Sequence, residues 1–200
     1  MKTKIIFIDT ETTGTDPNKN GLIQIAGIVY EAINPRDKLT ELERFDYRLK
    51  PFESDLIEPA ALQVNNTTPE QLAEYPEPKV IYTLFYALLS KYINPYDKQD
   101  KAFFVGYNAR FDYDFLRKFF EKNNNKYFGS FFYFPPIDVM NLAATYLMNE
   151  RRELANFKLE TVSKHIGIEA AGDLHDAMTD ILLTKDLYLT IIKEWTNAKM

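Results

Sequence analysis

The stretch Lys4-Ile5-Ile6-Phe7-Ile8-Asp9-Thr10-Glu11-Thr12-Thr13-Gly14 is an apolar run that ends in two carboxylates one residue apart. A β-branched and aromatic run of this length reads as a buried central strand. Side chains alternate across a strand, so Asp9 and Glu11 share one face and Thr10 takes the other. Two carboxylates on one face repel each other unless something positive lies between them, and hard divalent cations with oxygen ligands are the usual answer. Thr12, Thr13, Gly14, Thr15, Asp16 and Pro17 form a turn that stops the strand just past the acids. The acids then stand at the C-terminal rim of a sheet, where α/β proteins bind ligands. A strand end with solvated acids is the plain structural alternative.

Further strands are expected at Leu22 to Tyr30 and at Phe45 to Leu49, with a turn over residues 34–37 between them. Short connections make these three an antiparallel meander. Ile57 to Val64 reads as a short helix, and Thr68-Pro69-Glu70 as the capped start of another. Val80, Ile81, Leu84, Phe85, Leu88, Leu89 and Tyr92 recur at helical spacing, which marks an amphipathic helix over about residues 78–93. Ala102 to Tyr107 is a strand. Asn108-Ala109-Arg110-Phe111-Asp112 then opens a helix whose stripe of Phe111, Phe115, Leu116 and Phe119 is core. Asp112 stands at that strand-to-helix junction, either as a first-turn acid favoured by the helix dipole or as a further acid beside the Asp9/Glu11 rim.

Phe131-Phe132-Tyr133-Phe134-Pro135-Pro136 is an aromatic approach to Ile137-Asp138-Val139. It reads as core edge, with base stacking as the functional alternative. Helices are expected over residues 139–148 and 159–166, the latter stopped by Gly167. Asp173 caps a final long helix with Ala177, Ile181, Thr184, Tyr188, Ile191 and Trp195 on one stripe. His175 lies in its opening turn, and Asp180 one turn beyond Asp176.

The 200 residues and 46% apolar content suit a single domain, residues 1–200, with an ample core. The chain has no cysteine, which removes disulfide, zinc-thiolate and thiol-nucleophile chemistry and fits a reducing, cytoplasmic setting. Met1-Lys2-Thr3-Lys4 leads straight into the first strand without a signal-peptide core. No run approaches the ~20 apolar residues of a membrane span, so no membrane partner is expected. The net charge of −5 argues against a whole-surface grip on nucleic acid. Contact with that polyanion would have to be local and metal-assisted.

Taken together, Asp9-Thr10-Glu11-Thr12-Thr13-Gly14, Asn108-Ala109-Arg110-Phe111-Asp112 and His175-Asp176-Ala177-Met178-Thr179-Asp180 stand in order. They resemble the three signature segments of the DEDDh group of 3′–5′ exonucleases, of proofreading-subunit and ribonuclease T-like type. Leu62 to Glu70 also looks like a connecting stretch common in these enzymes. Gly often stands there where this chain has Asn66, which also tolerates a left-handed backbone.

The resemblance implies a ribonuclease H-like α/β fold: a mixed five-stranded sheet, first three strands antiparallel, with helices on both faces. It implies two Mg²⁺ or Mn²⁺ ions, with Asp9 bridging both, Glu11 and Asp180 completing one site and Asp112 holding the other. His175 and Glu11 would carry the catalytic step, His175 as the general base toward water. Thr12, Thr13 and Asn108 would face the substrate, the backbone around Thr12 and Thr13 meeting the terminal 3′-hydroxyl. The substrate would be a single-stranded nucleic acid 3′ end, DNA favoured, releasing nucleoside 5′-monophosphates. An RNA-trimming enzyme has the same site, and a catalytically silent binding module the same fold. The retained acids argue against the silent module. A stand-alone enzyme or a separate subunit is expected, the partner being a DNA polymerase or a second copy.

Overall fold

The computed structural model describes residues 2–34, 38–170 and 177–197. Residues 35–37 of the expected turn at 34–37, the cap Asp173, and His175 with Asp176 lie outside them. Strands β1 (Thr3–Thr12), β2 (Leu22–Ala32) and β3 (Thr40–Arg48) form the antiparallel meander. Strand β4 (Ala102–Gly106) runs parallel to β1, and β5 (Phe132–Asp138) parallel to β4, in the order β3-β2-β1-β4-β5. β1 is therefore the central strand, which is why its first residues are apolar on both faces. The C-terminal ends of β1, β4 and β5 share one rim.

Helices cover both faces. Helices α3 (Pro78–Tyr92) and α4 (Ala109–Lys122) pack with Ile6, Ile8 and Phe104 on one side. Helices α5 (Val139–Tyr146), α6 (Leu159–Ile166) and α7 (Ala177–Asn197) pack with Ile5, Phe7, Ala26 and Val105 on the other. Alternation along β1 carries these two stripes to the rim. Asp9 and Glu11 continue the Ile5–Phe7 stripe toward α7, and Thr10 continues the Ile6–Ile8 stripe toward α4. The connection after β3 holds the short helices α1 (Pro59–Val64) and α2 (Pro69–Glu74). The expected start of α2 is a full capping box: Gln71 N donates to Thr68 Oγ1, and Thr68 N donates to Gln71 Oε1.

Two expectations need correction. β3 begins at Thr40 and not Phe45, because its first half is an edge strand with charged Glu41, Glu43 and Arg44. The aromatic run with Pro135 and Pro136 is itself the fifth strand. It lies at the sheet's other edge, where a residue without an N–H is tolerated. Phe131 and Phe132 are fully buried, and Tyr133 packs against Phe103, so the run is mainly core edge. Phe134 alone among its phenylalanines is exposed. Among the described residues no helix is long and apolar enough to cross a membrane.

Candidate active site

Three elements bring the acids to one rim. β1 delivers Asp9 and Glu11, the first turn of α4 delivers Asp112, and the first turn of α7 delivers Asp180. α4 starts abruptly because Asn108, its N-cap, adopts the left-handed conformation (φ 62°, ψ 40°). Asn108 N donates to Asp138 Oδ1 at 3.0 Å, which ties the start of α4 to the end of β5. Asp138 Oδ1 also accepts from Met140 N, capping α5. The Asn108 side chain is exposed at this corner.

Asp112 is 3% exposed, and its Oδ1 accepts from Thr10 N at 3.0 Å and from Thr10 Oγ1 at 2.7 Å. Burial, followed by the charges of Asp112, Glu11 and Asp180, holds the Asp9 carboxyl well above its usual range. Glu11 is pushed up to about 7 by burial and then by Asp180, with Arg48 opposing. Asp112 is raised to about 7 by burial, against the lowering effect of the two Thr10 bonds. These are mutually repelling carboxylates with little water to screen them.

Among the described residues none of the ion pairs involves Asp9, Glu11 or Asp112. No three acidic or histidine side chains there close to the spacing of one coordination sphere. The acids are gathered within electrostatic range of one another. The donor set is all carboxylate oxygen, which fits Mg²⁺ or Mn²⁺ and disfavours soft metals. A divalent ion offsets the like charge that raises all three carboxyls.

A pH dependence follows. The folded protein holds protons on Glu11 and Asp112 that the unfolded chain releases near pH 4 to 4.5. Stability of the metal-free protein is therefore expected to fall as pH rises from about 4 to 7. The check is the melting temperature across this range, with and without Mg²⁺, for wild type and Glu11→Gln. Mg²⁺ should flatten the fall and Glu11→Gln should reduce it. A wild-type melting temperature that rises more steeply than that of Glu11→Gln would reject this electrostatic picture.

Thr12 and Thr13 are buried, and their polar groups are used inside the protein. Thr12 Oγ1 donates to Gly14 O, and Thr13 Oγ1 donates to Leu56 O, each at 2.7 Å. Thr12 O accepts from Asn65 Nδ2, and Thr13 N donates to Gly21 O. The knot centres on Asn20, 1% exposed, whose Nδ2 donates to Leu56 O at 3.0 Å and Glu58 Oε1 at 3.1 Å. A Cβ at Gly14 would overlap Asn20 and Glu58, so the turn after the acids needs glycine. Sequence reasoning gave no role to Asn20. The signal was the pair of glycines, Gly14 and Gly21, that bound its loop.

The model of an exonuclease family, RNase_T, matches residues 6–188. Ribonuclease T of Shewanella frigidimarina is 28% identical over 193 residues, covering 95% of this chain and 82% of that protein. The 3′–5′ DNA exonuclease Cap18 of Escherichia coli is 27% identical over 198 residues, covering 98% of this chain and 95% of that protein. E. coli exonuclease I, solved with a dT13 oligonucleotide, superposes with a TM-score of 0.77 at 22% identity. That overlap takes in 98% of this chain but only 42% of exonuclease I, and it supports the ribonuclease H-like fold. The family match takes in Asp9, Glu11, Asp112 and Asp180. The chain belongs to the DEDDh family of 3′–5′ exonucleases.

Proposed function

We propose that this chain is a two-metal exonuclease that removes nucleotides from the 3′ end of single-stranded DNA. The observation that carries the reading is the convergence of Asp9, Glu11, Asp112 and Asp180 from three elements at one sheet rim. Asp9 would lie between two Mg²⁺ or Mn²⁺ ions, with Glu11 and Asp180 on one and Asp112 on the other. Bound there, the ions supply Lewis-acid stabilisation of the phosphate and acidify an attacking water. Neutral His175 would take that water's proton. The water oxygen bonds to phosphorus, the bond to the 3′ oxygen breaks, and solvent returns a proton to that oxygen. The products are a nucleoside 5′-monophosphate and a strand with a new 3′-hydroxyl. Asn108 would face the substrate, and Thr12 and Thr13, buried and held rigid by the Asn20 knot, would fix the turn beside the acids.

The DNA reading gains support from the relative named as a DNA exonuclease, which matches this chain over almost its own full length. The likeness to ribonuclease T favours the RNA-trimming alternative. Matched 5′-labelled DNA and RNA strands with Mg²⁺ or Mn²⁺ decide between them. DNA should shorten progressively from its 3′ end and faster than RNA. A 3′-phosphate should slow it, and closed single-stranded circles should survive. Cut circles would mean an endonuclease, and faster loss of RNA would make the alternative the function.

A further inference from the structure

Thr10 points away from the two acids it stands between. It is the rim position of the Ile6–Ile8 stripe, so it is a polar side chain at the end of an apolar row. It is 6% exposed, and a buried hydroxyl at such a place needs a partner. That partner is Asp112, brought over the strand end by the first turn of α4. Thr10 supplies two donors, its N–H and its hydroxyl, to the same oxygen. Two donors on Oδ1 fix the carboxylate's rotation as well as its position. Among the described residues no hydrogen bond from another residue reaches Oδ2. The carboxylate is thus gripped on one oxygen and presented by the other.

We infer that Thr10 is a positioning residue: its hydroxyl aims Asp112 so that the second oxygen can hold a divalent ion beside Asp9. The inference rests on the proposed role of Asp112. A hydrogen bond to a metal-binding carboxylate orients it and keeps it ionised, and loss of such a bond typically costs 10–100-fold in metal affinity. A valine at this position keeps the volume and the N–H but deletes the hydroxyl. A serine keeps the hydroxyl and deletes the methyl. The pair separates aiming from packing.

The experiment is Mn²⁺ titration of the whole chain with thymidine 5′-monophosphate present, following free Mn²⁺ by electron paramagnetic resonance. Wild type should bind two ions and Asp112→Asn one. Thr10→Val should bind the second ion about 10–100-fold more weakly, and Thr10→Ser should recover to within a few-fold of wild type. Melting temperatures of all variants show that each is folded. If wild type binds a single ion, or Asp112→Asn binds both as wild type does, the metal role of Asp112 fails. If Asp112→Asn loses an ion but Thr10→Val matches wild type, the positioning role alone fails. It fails equally if Thr10→Ser is as weak as Thr10→Val.

Discussion

Asp9→Asn is expected to lower turnover of a 5′-labelled single strand by about 10³-fold or more, while raising the melting temperature of the metal-free protein. The loss follows from what the carboxylate would hold. Lewis-acid stabilisation by bound ions is worth several kcal/mol, and each 1.36 kcal/mol is tenfold in rate. Asp9 would touch both ions, so its replacement affects both sites at once. The gain in stability follows from burial and from three neighbouring carboxylates, which together make its ionised form costly. Removing one such charge is worth roughly 0.5–2 kcal/mol, or a few degrees in a chain of this size. EDTA should abolish wild-type activity, and Mg²⁺ or Mn²⁺ should restore it in wild type but not in Asp9→Asn. Asp46 makes a matched control, since it lies on the same rung as Asp9, with Ala26 between them. It accepts from Gln24 Nε2 at 2.8 Å, and its replacement by Asn should change turnover little. Full activity in EDTA, or wild-type turnover by Asp9→Asn, would sink the two-metal proposal.

The sequence carried β1 and its acids plainly, because a central strand must be apolar on both faces until it reaches the rim. Periodicity likewise showed α3, since one face of a surface helix has to match the core. β5 was hidden by its two prolines, which a strand tolerates only at an edge, and edge position is a property of the finished sheet. Alternation put Thr10 opposite Asp9 and Glu11. It did not say that α4 would start over that face, because this depends on the left-handed Asn108 and its bond to Asp138. Asp112 could be read as a helix-start acid or as a rim acid, and the structure makes it both. It lies in the first turn of α4 and sits against β1. Such long-range register is fixed by packing and not by any local pattern.

His175→Ala is expected to lower turnover by about 10²–10⁴-fold, the usual worth of a positioned general base, with Mn²⁺ binding largely retained. The chain has one other histidine, which makes the comparison clean. His165 lies in the last turn of α6, ahead of Gly167 in the left-handed C-cap conformation at φ 83°. Its Nε2 is 2.9 Å from Glu150 Oε2. A helix C-terminus and a carboxylate give His165 a complete structural reason to be there. His165→Ala should therefore leave turnover nearly unchanged and alter stability by no more than about 1 kcal/mol. His175 has the opposite standing. It lies outside the described residues, and its role rests on the motif that ends at Asp180, whose charge acts on Asp9 and Glu11. A base must be neutral to accept a proton, and the reference value for histidine is ~6.5. Wild-type single-turnover rates should accordingly rise with pH through that region, and His175→Ala should lose the histidine's share of the rise. His165→Ala should keep it. If His165→Ala were the crippled variant, or both kept wild-type rates and pH profiles, His175 would not be the base.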